Sequence, residues 1–167
     1  TEPYKRALEL IGFSADILPL GSNIHGDEYQ MHAKERAANA SDDALAFIVF
    51  GNTPAEWNVK SVIQTIAQAS SLMNRKALLW FSGKGGPSGE ELKSLVHYGA
   101  ELGVKVKGLG FLEAQSIVEY MNRADVGLAT VPFALWQKSS AVAAMRTCGL
   151  PVVFSRFDGQ WPEECLP

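Results

Sequence analysis

Five short apolar runs, separated by segments with helical spacing, constrain the fold of this chain more than any other feature. The runs lie at residues 44–50, 76–81, 104–109, 125–131 and 151–154. They are mostly continuous, and continuous apolar runs are typical of parallel strands that are covered on both faces. The third run does alternate between apolar and polar residues, which predicts that it lies at an edge of the sheet.

The segments between the runs have apolar residues every three or four positions and carry helix start and stop signals. Residues 53–56 (TPAE) match a capping box with proline at the first helical position, so we predict that a long helix begins there. Ser88 begins a second capping box. The last helix is predicted to begin near Ser139 and to end at Gly149. This alternation predicts an α/β fold with a Rossmann-like, doubly wound parallel sheet.

The alternation of apolar runs and helical segments divides the chain into three parts. Residues 1–43 lie outside it and are predicted to form a linker or interdomain segment, with a short helix ended by Gly12. Residues 44–156 contain all five runs and form the Rossmann-like domain. Residues 157–167 follow the last run with no helix to cover it, so we expect this tail to belong to a truncated chain.

Composition excludes several classes of protein. The chain has 167 residues, 47% of them hydrophobic, and a formal net charge of −3 without a dense block of lysine and arginine. No nucleic-acid partner is therefore expected. The two cysteines form no CxxC pair and accompany only three histidines, which favours a reducing compartment and no metal site. No apolar run approaches the roughly 18 residues that span a bilayer. We predict a cytoplasmic protein, with peripheral membrane association of the full-length protein as the alternative.

Ligands of open parallel sheets bind beyond the carboxyl ends of the strands, near the point where strand order reverses. The loops expected there are Gly51 and Asn52 after the first strand, residues 82–86 (SGKGG) after the second, Gly110 after the third and residues 132–138 after the fourth. Glycine lets a ligand approach the backbone, although it also makes a simple turn. The second loop lacks the GxxxxGK[ST] pattern and is not a phosphate-binding P-loop.

Lys138, Ser139 and Ser140 form the sharpest candidate site, because they open a helix whose next residues are small. Helix amides, the helix dipole, two hydroxyls and a lysine would converge there on an anion. The alternative is that Ser139 only caps the helix while Lys138 is solvated. The residues leave both interpretations open.

Other polar and aromatic residues carry weaker signals. His25 and Asp27 are candidate catalytic or substrate-binding groups, but a loop histidine is more often simply solvated. The tryptophans are explained by packing, although Trp136 lies close enough in sequence to Lys138 to cover a ligand. No Ser/His/Asp or Cys/His arrangement can be built from these residues, so no catalytic residue is assigned.

Five sequence motifs occur in a recognisable order. They are FIVFGN (47–52), LLWFSGKG (78–85), VKVKGLGFL (104–112), EYMNRADVGL (119–128) and AAMRTCGLPVV (143–153). The last two are the most specific. In order and spacing, residues 47–153 resemble the carboxyl-terminal half of a GT-B glycosyltransferase of the glycogen synthase or sucrose-phosphate synthase type, with its Y..ADV and EAMA.GLPVV patterns.

The resemblance implies a domain that binds the nucleotide diphosphate of an activated sugar. The donor would be a substrate, and no cofactor or metal is implied. An amino-terminal domain of the same polypeptide would supply most of the acceptor site. By resemblance, Gly51 and Asn52 match the glycine loop near the phosphates, while Gly110, Phe111 and Leu112 match the segment that builds the base pocket.

The same resemblance implies a role for the start of the last helix. Lys138, Ser139 and Ser140 match the segment whose amides face the diphosphate at a helix start. Gly83 and Lys84 lie in the loop after the second strand and complete the predicted donor-binding set.

Two features depart from the family pattern. Trp136 and Ala144 stand where the family has glutamates, the second of which normally holds the ribose hydroxyls. Asn52 stands where retaining members have an arginine, which leaves three lysines to balance the diphosphate: Lys60, Lys84 and Lys138.

The leading prediction is therefore the donor-binding part of a glycosyltransferase, inactive as a fragment. One alternative is a non-catalytic α/β ligand-binding or regulatory module, which the missing glutamates favour. Another is a sugar-nucleotide epimerase or hydrolase, because related folds use one pocket for different reactions.

Overall fold

A computed structural model describes residues 2–16, 21–22 and 44–156. Its centre is a five-stranded, all-parallel sheet in the order β3-β2-β1-β4-β5. The strands are β1 (Ala44–Phe50), β2 (Lys76–Ser82), β3 (Val104–Gly110), β4 (Val126–Ala129) and β5 (Val152–Phe154). The helices are α1 (Glu2–Leu10), α2 (Val59–Leu72), α3 (Gly89–Glu101), α4 (Ala114–Arg123) and α5 (Ser140–Thr147), with a 3-10 helix at Phe133–Lys138. The predicted Rossmann-like α/β fold is confirmed.

The strand order reverses once, between β1 and β4. From β1 to β3 the chain moves to one side of β1, and it then crosses back to add β4 and β5 on the other side. β3 lies at one edge, as its alternation predicts, and its buried Val104 and Val106 alternate with exposed Lys105 and Lys107. The switch point therefore lies at the centre of the carboxyl edge, beside β1 and β4.

Two hydrophobic clusters hold the helices on opposite faces of the sheet. The first packs α2 and α3 against one face and includes Val49 and Leu79. The second packs α4 and α5 against the other face and includes Ile48 and Met145. Ile48 and Val49 belong to different clusters because successive strand residues point to opposite faces. Continuous apolar runs were therefore required at the central strands.

Asp125, in the Ala-Asp step of the fourth motif, has a structural role. Its backbone N–H donates to the Ala46 carbonyl (2.7 Å), and its Oδ2 accepts from the Ala46 N–H (2.8 Å). This reciprocal pair of hydrogen bonds joins β1 to the residue before β4, at the point where the strand order reverses.

Asp125→Ala is expected to lower the free energy of unfolding by about 1.5 kcal/mol, because the Ala46 amide loses a charged acceptor in a half-buried setting. Urea unfolding monitored by circular dichroism checks this value. Asp125→Asn keeps an acceptor oxygen and should lose less. Equal losses for the two variants would mean that this hydrogen bond does not stabilise the fold.

The predicted helix start at residues 53–56 is wrong. α2 begins at Val59, where the Asn58 side chain caps it by accepting from the Ser61 N–H (3.1 Å). Thr53 instead donates from both its N–H (2.9 Å) and its Oγ1 (2.8 Å) to the Gly85 carbonyl. Trp57 lies before the helix and is 4% exposed. The threonine hydroxyl therefore links two loops.

Other predicted boundaries agree better with the structure. Ser88 precedes α3 as predicted, but its side chain makes no capping hydrogen bond. Ser139 caps α5 by accepting from the Val142 N–H (3.2 Å). α1 ends before Gly12, as predicted. The stretch 132–138, predicted as a loop, contains the 3-10 helix.

Several predictions fall on residues outside the described ranges. They concern His25, Asp27, most of the predicted linker (residues 17–20 and 23–43) and the tail at 157–167. The division of the chain into residues 1–43, 44–156 and 157–167 stays a prediction. Within the described ranges, no helix is long and apolar enough to cross a membrane.

Candidate functional site

The loops that follow β1, β2 and β3 are linked in series at the carboxyl edge of the sheet. The Gly51 N–H donates to the Ser82 carbonyl (2.8 Å), and the Gly83 N–H donates to the Gly110 carbonyl (2.9 Å). The Ser82 hydroxyl donates to the same Gly110 oxygen (3.2 Å). These hydrogen bonds extend the strand pairing and fix the three glycine positions relative to one another.

The first two loops approach so closely that only glycine fits at Gly83. A Cβ placed there would lie 2.4 Å from the Gly51 carbonyl oxygen, and the residue has φ = +138°. Gly51, with φ = +103°, lies against the start of α5, where its own Cβ would be 3.4 Å from the Ala141 Cβ. The close contact between loops and the positive φ explain glycine at position 83, whereas the positive φ favours glycine at position 51. These contacts bring the β1 loop, the β2 loop and α5 together.

Asn52 connects the two sides of the switch point. Its carbonyl accepts a hydrogen bond from Thr130 Oγ1 (2.8 Å), directly after β4. Its side chain lies against Gly85, where a Cβ would be 2.4 Å from Asn52 Oδ1. Arg156 in turn donates to the Thr130 carbonyl (3.5 Å). Asn52 therefore holds the β2 and β4 loops to the β1 loop.

Lys138 is the last residue of the 3-10 helix, Ser139 is the cap of α5, and Ser140 is the first residue of α5. Lys138 and Ser140 are exposed, whereas Ser139 is half-buried and caps the helix. The first turn of any α-helix presents amides that have no carbonyl partner within the helix, and the helix dipole makes this end positive. Because Ala141 adjoins Gly51, this positive end lies beside the glycine loop. Capping by Ser139 is observed and is compatible with anion binding by the neighbouring amides.

Lys84 and Phe111 form a second part of the edge, farther towards β3. The Lys84 ammonium lies 4.9 Å from the centroid of the Phe111 ring, a cation–π contact between two exposed residues. Phe111 is 62% exposed, while Leu112 packs against the second cluster. The structure therefore places Lys84 beside Phe111, one of the residues predicted to build the base pocket.

The two positions at which the family resemblance leads one to expect glutamates, 136 and 144, serve packing. Ala144 is fully buried in the second cluster, so its side chain faces the core and not the edge. Trp136 is half-buried, with the Arg146 guanidinium carbon 4.9 Å from its ring centroid. Lys60, another candidate for phosphate binding, lies 5.4 Å from the Tyr98 ring of α3.

Thr130 and Arg156 also lie at the carboxyl edge of the sheet, and neither was identified from the sequence. Thr130 is 9% exposed and directly follows a buried strand, which was the available signal. Arg156 had no such signal, because its partner is 26 residues away. Within the part of the chain that the structure describes, no three His, Cys, Asp or Glu residues are grouped so as to hold a metal ion.

Solved structures that align with part of this chain include proteins of two kinds. A universal stress protein from Archaeoglobus fulgidus aligns at 15% identity over 66% of this chain and 92% of its own, with a TM-score of 0.46. The same protein with dAMP aligns at 14% identity over 66% and 96%, with a TM-score of 0.44. An O-GlcNAc transferase mutant from Thermobaculum terrenum aligns at 20% identity over 69% of this chain, with a TM-score of 0.43. This chain covers 21% of that transferase.

Family assignment rests on a match to the sequence itself. No curated protein matches this chain. The family model described as "Glycosyl transferases group 1" matches residues 44–165, a range that includes every strand and every loop of the candidate site. Because this match covers well over half of the residues, the chain belongs to the group 1 glycosyl transferases.

Proposed function

We propose that this chain is the donor-binding part of a glycosyltransferase that moves a sugar from a nucleotide diphosphate to an acceptor. One observation carries the proposal: Gly51 lies against both Gly83 and Ala141, so two loops and a helix start meet at the switch point. Open α/β sheets bind ligands at that place. Family membership supplies the class of reaction.

The diphosphate would occupy the start of α5. Backbone amides of the first turn and the Lys138 ammonium would bind its oxygens, as helix starts bind phosphate in other proteins. Negative charge grows on the departing diphosphate as the glycosidic bond breaks. Groups that are already positioned to stabilise this charge lower the barrier to transfer.

The base would lie beyond β3, near Gly110, Phe111 and Leu112. The exposed ring of Phe111 offers a flat apolar surface, and Lys84 covers one side of it. A stacked base would require the uncovered side of the ring. This assignment places base and diphosphate on opposite sides of Gly51 and Gly83, which the nucleotide would span.

The glycogen synthase or sucrose-phosphate synthase subtype and the GT-B architecture form part of the proposal. In that architecture the acceptor site comes mainly from an amino-terminal domain of the same polypeptide. A cytoplasmic location, expected from cysteine usage, also belongs to the proposal.

The purified 167-residue chain is expected to transfer no sugar, because a cleft between two domains needs both walls. Incubation with UDP-, ADP- and GDP-sugars, followed by chromatographic detection of free nucleotide diphosphate, checks this. Release above the rate without protein would show that this chain contains a complete reaction centre.

Nucleotide binding itself is tested by NMR titration of the labelled chain with UDP, ADP and GDP. We expect the largest amide shifts at Gly51, Gly83, Leu112 and Ser140, and the base preference follows from the three dissociation constants. Lys76 and Gly103 lie at the amino ends of β2 and β3 and serve as internal controls. Shifts confined to those two residues would place the ligand at the wrong edge and refute the proposal.

Binding without transfer is the second candidate function, and the burial of Ala144 favours it. Ala144 has no carboxylate, and its position faces the core, so this position offers no acceptor to the ribose hydroxyls. The full-length protein distinguishes the two functions: nucleotide-dependent sugar transfer supports the enzyme, whereas tight nucleotide binding with no transfer supports a regulatory module.

A further inference from the structure

Two hydroxyl groups are buried at the carboxyl ends of the strands that flank β1. Ser82, the last residue of β2, is 2% exposed, and Thr130, which directly follows β4, is 9% exposed. Among the described residues, Ser70 is the only other polar side chain as deeply buried. It lies near the end of α2, beside the amino edge of the sheet, and its hydroxyl has no hydrogen-bond partner there. The two hydroxyls at the carboxyl edge, by contrast, both have partners.

Thr130 continues the connection between β1 and β4 beyond their last paired residues. The register of these two strands ends at Val49 opposite Leu128. Past that point, Thr130 Oγ1 donates to the Asn52 carbonyl (2.8 Å). This hydroxyl thus ties the glycine loop after β1 to the end of β4, and the same loop adjoins the start of α5.

Ser82 fixes the loop after β3 in a corresponding way. The pairing of β2 with β3 shifts by one residue just before Ser82, which lies opposite Gly110 and leaves Leu109 outside the register. Such irregularities bend a strand and are common next to functional sites. The Ser82 hydroxyl donates to the Gly110 carbonyl (3.2 Å), which also accepts from the Gly83 N–H (2.9 Å). The hydroxyl therefore helps to set the direction in which the chain enters residues 111–112.

We propose that these hydroxyls position different parts of the nucleotide, Thr130 the diphosphate and Ser82 the base. The inference rests on the proposed donor-binding function and deepens it, because it assigns roles to two residues that touch no part of the ligand. Both side chains are buried, so each acts through the backbone carbonyl that accepts its hydrogen bond. Without the Thr130 hydroxyl, the glycine loop loses its link to β4. Without the Ser82 hydroxyl, the loop that holds the base loses one of two donors.

A purely structural role for the two hydroxyls makes a different prediction. It would lower the free energy of unfolding without distinguishing between the parts of the ligand. The dissociation constant for inorganic pyrophosphate reports on the phosphate position alone. The ratio of that constant to the constant for the tightest of UDP, ADP and GDP reports on the base position. These two quantities separate positioning from simple stabilisation.

Isothermal titration calorimetry of the 167-residue chain measures both quantities. Thr130→Val removes the hydroxyl at nearly constant volume. We expect it to weaken the binding of pyrophosphate and of all three nucleotides by one common factor, about three- to tenfold, as for the loss of one neutral hydrogen bond. The ratio then stays unchanged. Thr130→Ser keeps the hydroxyl and should bind within about twofold of the wild-type chain.

Ser82→Ala is expected to give the opposite result. The ratio should fall by about three- to tenfold, while the affinity for pyrophosphate stays unchanged. Ser70→Ala is the matched control, because it removes an equally buried hydroxyl beside the amino edge and should change neither quantity. Thr130→Ala repeats the first comparison, so the result does not depend on the folding of one variant. Competition against the tightest nucleotide measures pyrophosphate binding that is too weak for direct titration.

Several results would overturn the inference. They are the same pattern of change for Thr130→Val and Ser82→Ala, no change for either variant, no rescue by Thr130→Ser, or equal affinity of the wild-type chain for pyrophosphate and the tightest nucleotide. Failure of the proposed function gives a different result, because the wild-type chain would then bind none of the three nucleotides. In that case the positioning roles fail with it.

Discussion

Gly83→Ala is expected to lower the free energy of unfolding by about 2 to 5 kcal/mol, from the cost of a positive φ and of overpacking. The new Cβ would lie 2.4 Å from the carbonyl oxygen of Gly51 and 3.0 Å from its Cα. Both atoms belong to the backbone, so no side-chain rotation relieves the contact. Chemical denaturation followed by circular dichroism measures the loss.

Gly86→Ala is the matched control in the same loop. A Cβ at Gly86 would lie 3.5 Å from the Gly83 carbonyl oxygen and 3.8 Å from the Phe81 Cβ, which are ordinary contacts, and its φ is not positive. We expect a change below about 1 kcal/mol in either direction. Similar small changes for both variants would show that the two loops separate easily and that their close packing does not stabilise the edge.

The strand pattern was predictable because it is local. Burial on both faces requires continuous apolar runs, and the alternating run of β3 correctly identified an edge strand. The start of α2 was not predictable, because Thr53 satisfies the local rule for a capping box and yet bonds to Gly85, 32 residues away. Asn58 carries the cap instead. A capping rule that considers only neighbours in sequence cannot weigh such a distant acceptor.

The candidate site shows the same division between local and distant causes. Glycines at the ends of strands identified Gly51 and Gly83, but their packing against each other depends on the register of β1 with β2. The contact between Lys84 and Phe111 joins two different loops and was not foreseen. Matching the family motif placed Ala144 at a ligand-binding position, whereas its helical phase turns it into the core. Positions were thus easier to predict than contacts.

Lys84 and Lys138 are consequently expected to act on different parts of a nucleotide. Lys84 lies over Phe111 at the proposed base position, and Lys138 precedes α5 at the proposed phosphate position. Lys84→Ala should therefore change the preference among UDP, ADP and GDP more than it changes the affinity for inorganic pyrophosphate. Lys84→Ala is therefore a probe of the base pocket. It does not serve as the control for nonspecific attraction between a lysine and the diphosphate.

Lys138→Ala is expected to weaken binding of a nucleotide diphosphate by roughly ten- to a hundredfold, which corresponds to about 1.5 to 3 kcal/mol for a charge-assisted hydrogen bond. The melting temperature should change little, because Lys138 is exposed at the end of the 3-10 helix. Isothermal titration calorimetry and thermal melts of the same samples measure both quantities. A loss of affinity with little change in melting temperature is the result expected when a residue that contacts the ligand is replaced.

Lys105→Ala is the matched control for Lys138→Ala. It removes the same charge from an exposed residue, but Lys105 lies in the amino-terminal half of the edge strand β3, away from the carboxyl edge. Long-range attraction alone would give small and equal losses of affinity for both variants, and Lys138 would then be an ordinary surface lysine. A large fall in melting temperature for Lys138→Ala would instead assign the residue to the fold. Only a selective loss of affinity for the diphosphate places the anion at the start of α5, where the helix amides and Lys138 act on it together.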